Sequence, residues 1–209
     1  MTEPLIEIDH AIILVSDLDT GHDWMASHGL TSLPGGRHTG HGTGNRIVPL
    51  GATYIELMGV LDEDEASSSE MGRWALQGTR SEPRLAALCL RTTDAAATAQ
   101  RLGAIPIPMS RLRPDGSTLA WRLVGASEMF AGTTPVFFIE WEGEAQDHPG
   151  RLDTDHRVSP TGRLRVGLRG GSDDLNRRLG DHRLEIEVEP GPAGVTSLGV
   201  EIDDGWIDL

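Results

Sequence analysis

The chain has 209 residues, a formal net charge of −14, 38% hydrophobic residues and 24% charged residues. This acidic balance excludes nucleic acid and anionic membranes as partners, because both are bound through clustered cations. All 18 basic residues are arginine, which excludes lysine Schiff-base chemistry, and the single Cys89 excludes an intrachain disulfide and a multi-cysteine metal site.

The first third of the chain is predicted to run strand, helix, strand, strand, strand. A β-branched run at residues 6–15 indicates a buried strand. Its longest apolar stretch, residues 11–15, is too short for a signal peptide or a membrane span, so we expect a cytoplasmic protein. Residues 16–20 offer helix N-cap side chains, and the helix that follows is expected to end at Gly29. The later strands of this unit are predicted near residues 30–33, 46–50 and 54–60.

The same order then restarts after an interruption. Residues 61–83 are acidic and rich in serine, a composition typical of a linker, with one helix expected in its second half. The repeated unit is predicted to contain a strand at 84–91, a helix at 95–102, and strands at 105–109, 119–124 and 136–141, with a turn at 114–116. A tail at 143–209 follows as strand, helix, strand, strand. Repetition of this kind indicates a duplicated sheet structure.

Each repeat closes with a strand that carries a glutamate among apolar residues. Glu56 lies in the segment 54–57 and Glu140 in the segment 137–141. A carboxylate in such a strand is costly to bury unless it is paired, hydrogen-bonded or bound to a cation. Together with His10 in the first strand, the two acids predict three side chains that converge on one interior.

Strand alternation predicts which neighbours share the face of each candidate side chain. His10 is expected to point to the same side as Ile8 and Ile12. Glu140 is expected to point to the same side as Phe138. The interior would then have apolar walls around a few polar groups, as a small-molecule pocket has.

These segments resemble the vicinal-oxygen-chelate superfamily and, within it, the glyoxalase-like domain group. The resemblance spans residues 5–142 and is carried by the segments 8–11 with 17–18, 34–38 with 42–45, 54–57 and 135–141. It implies an α+β fold in which two βαβββ modules form a curved-sheet cup. The expected divisions are a first module at 1–60, an acidic linker at 61–83, a second module at 84–142, and a βαββ-like extension packed on the cup at 143–209.

The resemblance also implies a divalent metal in the cup, held by the first and last strand of each module. His10, Glu56 and Glu140 fill three of the four ligand positions, and the other position falls at Leu85 or Ala86, which cannot bind a metal. One imidazole and two carboxylates suit Mn²⁺, Fe²⁺, Ni²⁺ or Zn²⁺. The metal would polarise a carbonyl, and Glu56 or Glu140 would act as the catalytic proton carrier.

Several other side chains are candidates for the substrate pocket. His38 could replace the missing ligand, and Arg37 could bind a substrate carboxylate. The full set of pocket candidates is Arg37, His38, Asn45, Tyr54, Trp121, Arg122 and Phe138.

A purely structural interpretation stays open for the same residues. His10 could be a neutral imidazole hydrogen-bonded to Asp9, and the two glutamates could pair with Arg122 and Arg46. The glycines of 34–45 would then serve a turn and a bulge. Cys89 is expected to be a buried, inert thiol. His148 and His156 are expected to be solvated loop histidines, with the alternative that the tail folds them over the mouth of the cavity as a lid.

The leading functional hypothesis is a glyoxalase-like enzyme, a lyase, isomerase or dioxygenase, that acts on a small oxygen-bearing metabolite. The alternative is a metal-free protein of the same superfamily that binds small molecules or sequesters drugs. Members of the superfamily often pair modules between chains, so a homodimer is left open.

Overall fold

The computed structural model describes residues 6–112, 118–180 and 182–209. The elements in chain order are β1 (Ile6–Leu14), α1 (Leu18–Ser27), β2 (Leu33–His38), β3 (Thr43–Pro49), β4 (Tyr54–Val60), α2 (Glu63–Ser67), α3 (Glu70–Gly78), β5 (Arg84–Thr92), α4 (Ala95–Leu102), β6 (Ile107–Leu112), β7 (Thr118–Val124), α5 (Ala126–Phe130), β8 (Val136–Glu142), β9 (Pro160–Gly170), α6 (Ser172–Leu179), β10 (Ile186–Pro190), β11 (Gly194–Ile202) and β12 (Gly205–Asp208). The turn predicted at 114–116 lies outside the described residues.

Eight strands form one sheet in the order β2-β3-β4-β1-β5-β8-β7-β6. In each half the first strand pairs in parallel with the last, β1 with β4 and β5 with β8, and the halves join where β1 runs antiparallel to β5. The sheet curls into a half-barrel. The predicted fold of two βαβββ modules around a cup is therefore confirmed. The extension has the predicted order strand, helix, strand, strand, and one further strand, β12, which was not predicted.

The helix of each module begins where the sequence supplies an aspartate cap. Asp17 accepts hydrogen bonds from the backbone N–H groups of Asp19 and Thr20 at the start of α1, and Asp94 accepts one from Ala97 at the start of α4. These bonds satisfy N–H groups that have no partner within the helix. Both helices pack on the back of the sheet, opposite the cup, through residues such as Met25 and Ala99.

The C-terminal extension covers the same back face. Its four strands form a second sheet in the order β10-β9-β11-β12. Apolar side chains of β9 and β11, among them Val166 and Val200, belong to one core with Leu57 and Phe138 of the eight-stranded sheet. No helix within the described residues is long and apolar enough to span a membrane.

The segment predicted as a linker closes the open side of the cup. It contains two helices, and α3 packs Met71, Trp74 and Ala75 into a second apolar cluster with Met129 of the short helix α5. The rings of Trp74 and Phe130 lie 5.7 Å apart between the two helices. The sequence did not predict this role, because residues 61–69 are acidic and the apolar residues of α3 lie on only one face of that helix.

Candidate active site

A cavity of about 60 Å³ lies between the cup face of the sheet and helices α3 and α5. Most of its wall is apolar, and four of the six methionines line it, namely Met58, Met71, Met109 and Met129. The polar lining side chains are His10, His38, Asn45, Tyr54 and Glu56, and the indole rings of Trp121 and Trp141 also line the cavity. The first five all come from the first half of the sheet, so the cavity is polar at one end.

A β-bulge in β1 brings two adjacent residues into the site. The pairing with β5 shifts between Ile8 and His10, which leaves Asp9 as the extra residue. Because of this shift, Ile8 packs in the back core while His10 and Ile12 line the cavity. The prediction that His10 and Ile8 share a face is therefore wrong, since simple alternation does not hold across a bulge.

Asp9 is fully buried and holds the ring of His10. Its Oδ1 lies 2.7 Å from His10 Nδ1, and its Oδ2 accepts hydrogen bonds from Trp141 Nε1 at 2.9 Å and from His148 Nε2 at 3.1 Å. Burial alone raises the pKa of Asp9, but the hydrogen bonds and charges of His10 and His148 outweigh it and hold that pKa well below its usual value. An ionised Asp9 places the proton of His10 on Nδ1 and leaves Nε2 facing the cavity.

Glu56 lies at the centre of the polar end. Its Oε2 is 3.5 Å from His10 Nε2, and its Oε1 is 3.7 Å from His38 Nε2. Asn45 donates a hydrogen bond of 2.6 Å from Nδ2 to Oε1. Two imidazoles from different strands therefore flank the two oxygens of one buried carboxylate.

His38 is held in the same way as His10. Its Nδ1 lies 2.9 Å from the hydroxyl of Thr43, and that hydroxyl donates to the sulfur of Met71 at 3.6 Å. The hydroxyl proton is thus used, so Thr43 accepts from Nδ1–H and the lone pair of His38 lies on Nε2. No pattern along the chain indicates a role for Thr43, because that role depends on the pairing of β2 with β3.

The glycine-rich segment makes room for this arrangement. A Cβ atom at Gly35 would overlap the side-chain oxygen of Asn45, and that Oδ1 is buried with no hydrogen-bond partner. The pairing of β2 with β3 shifts between Pro34 and Gly36. The glycines therefore serve a bulge, and the bulge places Asn45 against Glu56.

Glu140 does not reach the cavity. Its carboxylate lies near the backbone N–H of Ala95 and forms an ion pair of 3.1 Å with Arg122. The predicted three-residue set is therefore not assembled, because the cup-facing residues of β8 are Phe137, Ile139 and Trp141, which alternate with Glu140. The structural alternative of a pair with Arg122 is the one observed.

Three of the predicted pocket residues also lie elsewhere. Phe138 is fully buried in the back core, Arg122 is half-exposed, and Arg37 pairs with Glu65 and Asp62 at the surface. The other four do line the cavity, namely His38, Asn45, Tyr54 and Trp121. His148 is buried rather than solvated, and the tail residue His156 bonds to the backbone of Thr31 and Pro49.

The second half supplies apolar side chains at the positions that correspond to His10 and Glu56. On the cup side β5 carries Ala87 and Cys89, and β8 carries Phe137 and Ile139. Burial raises the pKa of the Cys89 thiol well above its usual value, and the charges of Asp9 and Glu56 raise it further. The thiol therefore stays protonated, as expected of an inert cysteine.

Two sets of side chains can be tested as metal ligands. Asp9, His10 and Cys89 offer ligand atoms within 4.8 Å of one another, but the oxygens of Asp9 already accept three N–H groups and the thiol is protonated. His10, His38 and Glu56 offer two imidazole nitrogens and a carboxylate, which is the donor chemistry of a divalent metal site. Their ligand atoms do not all lie within 4.8 Å of one another, so the second set fits a metal by its donor chemistry and the first by its spacing alone.

Comparison with solved structures shows relatives of the fold. A hypothetical protein from Staphylococcus aureus matches over 98% of this chain and 98% of its own, with a TM-score of 0.66 and 17% identity. Methylmalonyl-CoA epimerase from Mycobacterium tuberculosis matches over 70% of this chain and 94% of its own, with a TM-score of 0.47 and 22% identity. The Streptomyces coelicolor methylmalonyl-CoA epimerase in complex with 2-nitronate-propionyl-CoA matches over 64% of this chain and 92% of its own, with a TM-score of 0.43 and 20% identity.

No curated protein matches the sequence. The sequence model of the glyoxalase-like domain family matches residues 8–169, more than half of the chain. The chain therefore belongs to the glyoxalase-like domain family.

Proposed function

We propose that the cup is the active site of a glyoxalase-like enzyme that acts on a small oxygen-bearing molecule with an apolar body. His10, His38 and Glu56 would hold a divalent metal there. One observation carries the proposal: two buried imidazoles, each bound to an oxygen through Nδ1, turn Nε2 toward the two oxygens of one carboxylate.

The distances support shared ligation more than direct hydrogen bonding. The contacts of 3.5 Å and 3.7 Å between nitrogen and carboxylate oxygen are longer than ordinary hydrogen bonds. Ligand atoms that bind one Zn²⁺ tetrahedrally at about 2.0–2.2 Å are separated by roughly 3.3–3.6 Å. The ligand atoms of His10, His38 and Glu56 do not all lie within 4.8 Å of one another, so their side chains would have to move toward the ion when it binds.

The outer partners support the same proposal. A metal-binding histidine commonly donates its other N–H to a carboxylate or a similar oxygen, which fixes the ring and its tautomer. Asp9 does this for His10, and Thr43 does it for His38. In this proposal His38 takes the place first expected for Glu140.

Asn45 would orient the carboxylate of Glu56, and that carboxylate would transfer a proton. Asn45 holds Oε1 of Glu56 at 2.6 Å, so Oε2 is the oxygen that would take a proton from the substrate or return it. A bound divalent metal would supply Lewis-acid polarisation of a substrate oxygen. Two imidazoles and one carboxylate also form the ligand set of non-haem iron oxygenases, so the metal found would separate a dioxygenase from a lyase or isomerase.

The side chains that line the cavity indicate what kind of substrate fits it. Methionine side chains are flexible and polarisable, and they adapt to the shape of an apolar ligand. No arginine lines the cavity among the described residues, so a multiply charged substrate would lack a counter-charge. The present volume of about 60 Å³ requires the methionines or helix α5 to move when a ligand enters.

Metal analysis of the purified protein tests the proposal. After incubation with Mn²⁺, Fe²⁺, Ni²⁺ or Zn²⁺ and desalting, we expect about one ion per chain for the wild type, because the site has a single set of three ligands. Glu56→Gln should lose the ion. The matched control Glu140→Gln should keep it, since Glu140 lies outside the cavity. The proposal would be contradicted if the wild type retained no metal, or if Glu140→Gln alone lost the ion.

A metal-free binding protein is the second candidate, favoured by the apolar side chains of the second half of the cup. In that case an apolar ligand would quench the fluorescence of Trp121 and Trp141 equally well with and without EDTA. For the enzyme, chelation should weaken the binding of an oxygen-bearing ligand.

A further inference from the structure

We propose that Trp141 and His148 are positioning residues, which fix Asp9 and through it the tautomer and orientation of His10. Both residues come from the second half of the chain, Trp141 near the end of β8 and His148 in the turn that follows it. The consequence for metal binding rests on the proposed function, but the hydrogen-bond arrangement does not.

The contacts of His148 define its role. The ring is buried, and its Nδ1 accepts the backbone N–H of Gly150 at 3.1 Å. A nitrogen that accepts a hydrogen bond carries no proton, so the proton of a neutral His148 lies on Nε2. That N–H then donates to Asp9 Oδ2 at 3.1 Å.

Trp141 completes the arrangement. Its indole N–H can only donate, and it donates to the same Oδ2 at 2.9 Å. With Oδ2 occupied by two donors, Oδ1 is directed to His10 Nδ1 at 2.7 Å. Arg91 also lies near Asp9, and its Nε is 3.7 Å from Oδ2, beyond hydrogen-bond distance.

The turn that carries His148 is itself locked in place. The backbone N–H of Gly51 donates to the carbonyl of Gly150 at 2.7 Å, and a Cβ atom at Gly150 would overlap the carbonyl of Thr53. The His148 ring also packs edge-on against Tyr54 and Trp141, at 5.5 Å and 5.7 Å. The donor is therefore fixed relative to β4, the strand that carries Glu56.

Three substitutions and a control separate positioning from general stability. His148→Gln keeps an N–H donor, whereas His148→Ala and Trp141→Phe each remove one. His156→Ala serves as the control, because this tail histidine also bonds across to the first module, at Thr31 and Pro49, but has no contact with Asp9.

The first readout is the ¹⁵N–¹H NMR spectrum of histidine-labelled protein without metal. We expect the wild type to show His148 protonated on Nε2 and His10 protonated on Nδ1. The His10 Nδ1–H signal should broaden or mix with the other tautomer in His148→Ala and Trp141→Phe, and persist in His148→Gln and His156→Ala. An unchanged His10 signal in both donor-removing variants would overturn the inference.

The second readout is metal affinity by calorimetry. Loss of an outer hydrogen-bond partner commonly weakens metal binding about 10- to 100-fold, and we expect this loss in His148→Ala and its recovery in His148→Gln. Equal affinity in wild type and His148→Ala would overturn the consequence for the metal. If the wild type binds no metal, the proposed function fails while the NMR readout still decides this inference.

Discussion

The two halves of the cup share a topology but differ in the chemistry of their inner faces. At matching places the first half carries His10 and Glu56, and the second half carries small or apolar side chains of β5 and β8. Their outer faces are alike, since Leu57 and Phe138 belong to one core. The two halves thus share the packing that makes the cup, while the polar side chains His10 and Glu56 lie on one side of it.

The second half of the sheet also contributes to the site. It supplies the apolar wall of the cavity, and through Trp141 and His148 it supports Asp9. A residue can therefore support the site from the half that carries none of the proposed ligands. Substitutions accordingly fall into two kinds, those that test packing common to both halves and those that test chemistry found in one.

The largest effect should be common to both halves. Leu57 and Phe138 are fully buried in the same core, and truncation there removes apolar contacts and leaves a cavity. We expect Leu57→Ala and Phe138→Ala each to lower the free energy of unfolding by about 3–5 kcal/mol, measured by urea denaturation. A loss below about 1 kcal/mol in either variant would show that the two back faces are not equivalent.

Asp9→Asn should have a somewhat smaller effect that depends on pH. The variant leaves N–H donors unpaired in a buried site, at a cost of about 3 kcal/mol near neutral pH. The pKa of Asp9 is lowered in the folded protein. Ionisation of Asp9 therefore stabilises the fold at pH values above the ordinary pKa of 3.8. This stabilisation is lost as the pH falls below 3.8.

The free energy of unfolding at acidic pH therefore gives a more specific test of this prediction. Below pH 3.8 the wild type should lose up to about 1.4 kcal/mol per pH unit more than Asp9→Asn, because one extra proton is taken up on unfolding. Circular dichroism of urea unfolding between neutral pH and the acid range measures the difference. Parallel stability curves for the two proteins would show that Asp9 is not held ionised.

The smallest effect should come from Glu140→Gln. The partner Arg122 is 48% exposed, and ion pairs with an exposed partner contribute less than about 1 kcal/mol. We expect no more than this loss in urea unfolding, and an unchanged cavity. A loss above about 2 kcal/mol, beyond the range of exposed pairs, would mean that Glu140 has a structural role the contacts do not explain.

The sequence predicted the architecture well because the signals were local and repeated. The caps at Asp17 and Asp94, the glycine that ends α4 and the order of strands all follow from short segments. The cup followed from the resemblance. Helix α5 was missed because five residues are too few to show a period.

The site was predicted only in part, because it depends on strand register. His10 and Glu56 were placed in the cavity, but the bulge at Asp9 and the alternation along β8 decide which neighbours face inward. His148 lies 139 residues from its partner Asp9, and no pattern along the chain connects them. The turn after β8, bound to Gly51 through the carbonyl of Gly150, brings these two side chains together.

Anomalous X-ray diffraction from crystals of the metal-loaded protein would locate the ion itself. We expect one peak within ligand distance of His10 Nε2, His38 Nε2 and a carboxylate oxygen of Glu56. A peak at Cys89 or beside Glu140, or no peak in the cup of a fully loaded crystal, would contradict it.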